Sequence, residues 1–245
     1  MKIALISDIH ANGVALEAVL KDLQCQDIDE IICLGDVATI GPQPLQVLQM
    51  LQDLNCVCIR GNHDAALLDP AAIPRYRIAS PLIPNLYWCR QKLGNAEFSF
   101  LKSFETTCTV NLRDGKNLLC FHGSPYSTTD VILASTPPGE YERMLRGIES
   151  DYLAGGHTHL QMLREWKAGF LINPGSVGCA FTRFFQKGEV PALHPWADYA
   201  ILNINSANLQ VDLRQVHFNI PAFKQAVMES DIPLKEWWLG QYNGL

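Results

Sequence analysis

The stretch Arg60-Gly61-Asn62-His63-Asp64 follows the apolar run Cys56-Val57-Cys58-Ile59, so a polar cluster stands where a buried strand ends. Open α/β sheets place ligands and chemistry at the carboxyl ends of their strands. Gly61 lets backbone pass close to a ligand. Asn62 offers a neutral carbonyl oxygen able to coordinate a metal, and His63 is able to carry a proton near neutral pH.

Four other apolar runs end in the same way. Ile3-Ala4-Leu5-Ile6-Ser7 leads into Asp8-Ile9-His10, and Ile31-Ile32-Cys33-Leu34 into Gly35-Asp36. Leu118-Leu119-Cys120-Phe121 leads into His122-Gly123-Ser124-Pro125, and Tyr152-Leu153-Ala154 into Gly155-Gly156-His157-Thr158-His159. Asp8/His10 and His157/His159 are i,i+2 pairs, and in extended backbone the members of each would point to one side. Of seven histidines, five (His10, His63, His122, His157, His159) fall in these stretches. One His or Asp after a strand is ordinarily a turn residue or cap, but five such stretches together describe a site for divalent metals. Imidazole and carboxylate favour Zn, Fe, Ni or Mn.

Asp8-Ile9-His10, Gly35-Asp36, Gly61-Asn62-His63-Asp64, His122-Gly123 and Gly156-His157-Thr158-His159 resemble, in order and in strand-end context, the five motifs of the calcineurin-like metallophosphoesterases. Asn12-Gly13 and Gly41-Pro42-Gln43-Pro44 resemble the compact prokaryotic, phosphodiesterase-like branch of that family. After Asn173-Pro174-Gly175-Ser176 the likeness rests on size and strand pattern. The resemblance implies a four-layer α/β-β/α sandwich of two facing mixed sheets with helices outside. It also implies two divalent metals per chain, with Asp36 bridging them. Asp8, His10 and His159 would complete one shell, and Asn62, His122 and His157 the other.

Phosphoester hydrolysis needs a nucleophilic hydroxide, neutralised phosphoryl oxygens and a proton for the leaving oxygen. Two metals about 3.5–4 Å apart supply the first two by sharing a water and clamping the substrate. The family resemblance gives His63 the proton, a general-acid task suited to imidazole. Asp64 is a second catalytic candidate, to orient the loop or His63, although a turn cap explains it equally. Asn12 is placed to donate to a phosphate oxygen. Serine/threonine phosphoprotein phosphatases continue Gly-Asp with Asp and a phosphate-clamping Arg, whereas this chain continues Gly35-Asp36-Val37-Ala38-Thr39. That shifts the expectation toward phosphodiesters or phosphoanhydrides of a small or nucleotide-like substrate, with Arg60 as the substitute cation. The competing readings are a protein phosphatase, a diadenosine polyphosphate hydrolase, and a non-catalytic scaffold like the related retromer subunit.

With 48% hydrophobic and 18% charged residues, the 245-residue chain has ample material for one core. It is expected to form a single domain with a helical insertion over about 65–105. The net charge of −6 argues against general nucleic-acid binding, which leaves a basic footprint. The apolar run before Asp8 is too short for a signal peptide or a membrane span. The eight cysteines show no Cys-x-x-Cys spacing, so a reduced, cytoplasmic protein is expected rather than a disulfide framework or a sulfur metal site. Oligomeric state is not legible.

The elements that must position these residues follow from periodicity. Leu16, Val19, Leu20 and Leu23 mark a helix over 13–24, and Leu45, Leu48, Leu51 and Leu54 another that starts at Pro44. With strands at 3–7, 31–34 and 56–60 they make β-α-β-α-β, the pattern of a parallel sheet. Within the insertion, 85–93 and 96–104 read as helices, with Asn95 as an N-cap. There Tyr76, Tyr87 and Trp88 fit core packing better than base stacking, while Arg75 and Arg77 fit phosphate contact and solvated surface equally. Hairpins are expected around 113–116, 167–169 and 205–208, then helical pieces near 221–229 and 234–239. His194 and His217 fall outside the motifs and read as packing residues.

Overall fold

The computed structural model describes residues 1–112, 115–185, 189–205 and 209–242. The opening unit is β1 (Lys2–Ile6), α1 (Gly13–Leu23), β2 (Glu30–Cys33), α2 (Pro44–Leu54) and β3 (Val57–Cys58), with β1–β2 and β2–β3 parallel. Helices α3 (Asn62–Leu68), α4 (Ile83–Lys92) and α5 (Asn95–Ser103) follow, with 3-10 turns at Pro70–Tyr76 and Ser80–Leu82. Then come β4 (Cys108–Asn111), β5 (Asn117–Cys120), α6 (Pro138–Met144) and β6 (Tyr152–Ala154). The hairpin of β7 (Gln161–Trp166) and β8 (Gly169–Pro174) precedes that of β9 (Trp196–Ile204) and β10 (Leu209–His217). Helices α7 (Ile220–Glu229) and α8 (Lys235–Gln241) close the fold.

One sheet has the order β10-β9-β1-β2-β3 and the other β4-β5-β6-β8-β7, each mixing parallel and antiparallel pairs. Strand alternation sorts the core into layers. Ile3, Leu5, Ile32 and Leu34 meet Leu118, Cys120, Tyr152 and Ile172 between the sheets. Ala4, Ile6 and Cys33 point the other way, onto Leu16, Val19, Leu48 and Leu51 of the helices. Leu119, Phe121, Leu153 and Leu171 face outward onto Tyr141 and Leu145 beside α6. Strands covered on both faces read as unbroken apolar runs, and the expected four-layer sandwich is the observed one.

Several local expectations are corrected. The buried stripe of α2 is Pro44, Val47, Leu48 and Leu51, while Leu45, at one edge of the expected stripe, is 46% exposed. Gly94, not Asn95, caps α5, its N–H donating to Glu97 Oε2 at 2.8 Å. Helix α6 has no counterpart in the periodicity reading, being short and begun by two prolines, Pro137 and Pro138. The turns expected at Arg113-Asp114 and Ser206-Ala207-Asn208 lie outside the described residues. All eight cysteines are free thiols, and Trp88 is buried as a core residue.

Candidate metal centre and substrate pocket

Strands β1, β2 and β3 run parallel in one sheet and β5 and β6 in the other, so their carboxyl ends gather along one edge of the sandwich. Asp8 and His10 follow β1, Asp36 follows β2, and Asn62 and His63 open α3 directly after β3. His122 follows β5, and His157 and His159 follow β6. The result is two clusters of possible ligand atoms, Asp8/His10/His159 and Asp36/His122/His157. No cysteine joins either cluster among the described residues.

The i,i+2 pairs do not act as extended backbone. Asp8 (φ +52°), His10 (+48°), Asp36 (+58°), His157 (+69°) and His159 (+58°) all occupy the left-handed region. Such conformations cost on the order of 1–3 kcal/mol each in non-glycine residues and gather at functional sites. His157 and His159 consequently separate into different clusters instead of sharing one. Hydrogen bonds hold the strained turns. Asp8 N–H donates to Gly35 O (2.9 Å) and His10 N–H to Asp36 O (3.0 Å), while Asp8 O accepts from Gly178 N–H (3.1 Å) and Ser176 Oγ (2.7 Å).

Glycine is required where chain meets carboxylate. A Cβ on Gly61 would collide with Asp36 Oδ1 and stand 2.6 Å from Asp36 N, and one on Gly156 would collide with Ser7 Oγ. Gly61 itself is extended, at φ −82° and ψ 174°, so close approach rather than a tight turn demands it.

The clusters carry the marks of cation sites. Asp8 Oδ2 accepts from Ser7 Oγ (2.6 Å) and His157 N–H (3.0 Å), but the buried Asp8 Oδ1 has no hydrogen-bond donor. That oxygen lies 3.3 Å from His159 Nε2, 3.8 Å from His10 Nε2 and 4.0 Å from His122 Nε2. His159 Nδ1 donates to Cys179 O (2.9 Å) and His122 Nδ1 to Leu34 O (2.7 Å), which turns both Nε2 atoms inward. Such bonds orient histidine ligands in metal sites. Asn62 Nδ2 donates to Tyr76 O (3.0 Å), leaving Oδ1 3.1 Å from His122 Nε2. An orphaned carboxylate oxygen amid converging imidazole nitrogens fits a divalent ion.

The electrostatics agree. Burial alone would raise Asp8 and Asp36; instead His159 draws Asp8 down to about 2, and His122 and His63 hold Asp36 well below the usual carboxylate range. Burial depresses His10 strongly, helped by His159 and His63, and it takes His157 down to about 3, helped by His122. His122 goes the other way. Burial opposes its charge, but Asp36 and Asp8 push it up to about 10, so a proton there supplies positive charge that the carboxylates demand.

His63 lies at the pocket surface, 8% exposed, its N–H donating to Asp36 Oδ1 (2.8 Å) and its Nδ1 3.0 Å from Thr39 Oγ1. Thr39, unremarked in the sequence, also stands 3.4 Å from His10 Nδ1. Burial lowers the His63 pKa, with Asp36 opposing. Two other expectations change, those for Asn12 and Arg60. Asp64 accepts the N–H groups of Asp36 (2.7 Å), Val37 (3.0 Å) and Gly61 (2.9 Å) and is fully buried, the loop-orienting place that the sequence offered for it. Burial and Asp36 raise its pKa to about 6. Asn12 caps α1 through Ala15 N–H (3.0 Å) and donates to Gly178 O (3.3 Å), so both ends of its buried amide are engaged away from substrate. Arg60 points to α5, donating to Lys102 O and Phe104 O at 2.9 Å, and is absent from the pocket wall.

The pocket above the clusters has a volume of about 320 Å³. His10, Asp36, Asn62, His63, His157 and His159 face it, and among the described residues its one Lys or Arg is Arg77. Asn173 and Ser176 also escaped assignment in the sequence. Asn173 Nδ2 donates to Gly156 O (2.7 Å) beneath the His157 turn, and Ser176 braces Asp8.

A two-sheet sandwich with buried carboxylate–imidazole clusters at converging strand ends is built to hold divalent ions, and comparison with known proteins supplies the family. The family model described as the calcineurin-like phosphoesterase superfamily domain matches residues 1–191. An uncharacterised protein of Methanocaldococcus jannaschii is 26% identical over 98% of this chain and 96% of its own length. The phosphodiesterase YfcE of Escherichia coli K12 is 24% identical over 89% of this chain and 99% of its own. A metallophosphoesterase structure from Sphaerobacter thermophilus matches with a TM-score of 0.74 at 24% identity, covering 98% of both chains. The chain belongs to the calcineurin-like phosphoesterase superfamily. Its class is therefore that of metal-dependent phosphoester hydrolases. Among the described residues no helix is long and apolar enough to cross a membrane.

Proposed function

We propose that this chain is a dinuclear metal-dependent phosphodiesterase acting on a small, monoanionic phosphate diester. The observation that carries the reading is the buried, unpartnered Asp8 Oδ1 among His10, His122 and His159, two of which (His10 and His159) line a pocket with one cationic residue among its described wall residues. Asp8, His10 and His159 would hold one ion, and Asn62, His122 and His157 the other, with Asp36 shared. Mn, Fe, Zn and Ni all suit these donors. When bound, such ions neutralise phosphoryl oxygens and lower the pKa of a water. His63 is the proton donor to the leaving oxygen, and the Thr39 hydroxyl at its Nδ1 fixes the ring so that the opposite nitrogen serves the pocket. Arg77 takes the charge-holding role first assigned to Arg60.

One fixed cation among the described wall residues suits a diester, which carries one negative charge at the reacting phosphate, better than a dianionic monoester. The names phosphodiesterase and probable cyclic nucleotide phosphodiesterase among the relatives support the diester over the phosphopeptide. A reduced, cytoplasmic setting suits eight free thiols. The test is a panel at one Mn²⁺ concentration: nitrophenyl diester, cyclic nucleotide, nucleotide monophosphate, diadenosine polyphosphate and phosphopeptide. Diesters should show the higher kcat/KM, and a clear preference for the phosphopeptide would replace this reading with a protein phosphatase.

A further inference from the structure

The pocket is two-faced. Its floor is the polar cluster, whereas its described walls are mainly apolar and come chiefly from three separate parts of the chain, with Ile40 from a fourth. Pro81 and Leu82 approach from the helical insertion, Phe181 from the segment after β8, and Leu234 and Trp237 from the start of α8. These walls are held rigidly. Phe181 stacks on the His159 ring at 4.2 Å and 23°. Trp237 packs against Trp238 at 4.7 Å, and the buried Trp238 donates through Nε1 to Ile40 O at 2.9 Å, which ties α8 to the loop that carries Thr39.

We infer that these walls form a specificity subsite for a planar, uncharged, aromatic substituent on the phosphate diester, with Trp237 and Leu82 as its gripping residues. The inference rests on the phosphodiesterase reading above for which bond is cut. Flat rings stack on indole and phenyl faces without needing directional partners. With Arg77 the one cationic residue among the described wall residues, chains of phosphates and sugar phosphates meet few groups there that replace their water. A methyl or other small alkyl substituent would leave most of the wall uncovered.

The test uses methyl(phenyl)phosphinate and dimethylphosphinate, both monoanionic and without any P–O ester bond to cleave, bound to the Mn²⁺-loaded protein and measured by calorimetry. The phenyl compound should bind about 10–100-fold more tightly, the range expected for one stacked ring. Trp237→Ala and, separately, Leu82→Asn should each cut that ratio at least several-fold. Leu82 is only half-buried, so its variant keeps the test sound if Trp237→Ala folds poorly in a thermal melt. Equal affinities in the wild type would overturn the subsite and leave the walls as a water-excluding rim. A ratio unchanged in both variants would overturn it equally. Turnover of bis(4-nitrophenyl) phosphate is measured in parallel: turnover without a phenyl preference rejects the subsite alone, and a phenyl preference without turnover upholds the subsite and rejects the catalytic reading.

Discussion

His10 Nε2 lies 3.0 Å from His159 Nε2, closer than two imidazole lone pairs tolerate unless a proton or a cation stands between them. With Asp8 Oδ1 at 3.3 Å from the second nitrogen, this contact has the form of a site closed by an ion. Saturating Mn²⁺ should therefore raise stability. At a hundred times Kd the gain is about 2.7 kcal/mol, or about 5–10 °C in Tm for a chain of this size. Asp8→Asn should abolish most of that increment, and Asp36→Asn should weaken both ions as the shared ligand. Melts with and without chelator, joined to metal analysis, check this; full occupancy in Asp36→Asn would remove the bridging assignment.

Metal binding should release protons. His10 and His157 are held neutral by burial, whereas Asp36 and Asp8 lift His122 to about 10, so near pH 7.5 it is His122 that must lose its proton to become a ligand. Calorimetry in buffers of differing ionisation enthalpy should report about one proton released per chain, and affinity should rise with pH up to that value. Release of none would mean that His122 stays protonated and does not coordinate.

His63→Ala should keep its metals yet lower turnover by about 10²–10⁴-fold, the range for a lost general acid. The loss should shrink for nitrophenolate leaving groups, which need little protonation. Thr39→Val should act in the same direction but less, through the lost hydroxyl at His63 Nδ1. Equal losses across leaving groups would leave His63 as a phosphate contact.

Arg77 and Arg60 should separate cleanly. Arg77→Ala, which strips the pocket's cationic wall residue, should raise KM for anionic diesters about tenfold, a change of about 1.4 kcal/mol. Arg60→Ala should instead cost about 1–3 kcal/mol of stability through the carbonyls of Lys102 and Phe104 and leave KM in place. Asn12→Ala should likewise cost about 1 kcal/mol as a lost N-cap. Steady-state kinetics beside denaturant melts distinguish the two behaviours.

Asp198, outside both ligand clusters, offers a further pH test. Burial pushes its carboxyl from 3.8 up to about 7, so between those values the folded state keeps a proton that the unfolded chain has lost. Stability should fall as pH rises through that window. Asp198→Asn, which retains an acceptor for Trp196 Nε1, should be more stable than wild type at pH 8 by about 1–3 kcal/mol and gain little at pH 4. A pH-independent difference would mean that the buried carboxyl is ionised throughout.

The sequence by itself determined the class of fold and where the candidate metal site gathers. Strands buried on both faces show as unbroken apolar runs, and the polar residues at their carboxyl ends are those of the clusters, Asp8, His10, Asp36, His122, His157 and His159, with Asn62 beside them. Only the tertiary structure decided which polar neighbours face the site. Asn12, Arg60 and Asp64 stand in the same short stretches, but each satisfies backbone groups that the turns leave unpaired: a helix start, the end of α5, and the Asp36 loop. Local spacing cannot tell a side chain aimed at substrate from one aimed at its own backbone. The pocket's walls were less legible still. Phe181 and Trp237 lie far along the chain from most of the motifs, and Arg77 reaches the pocket from a left-handed residue at φ +53° between two 3-10 turns. Only the packing of α8 and the helical insertion against the sheet edge brings those residues over the two ligand clusters.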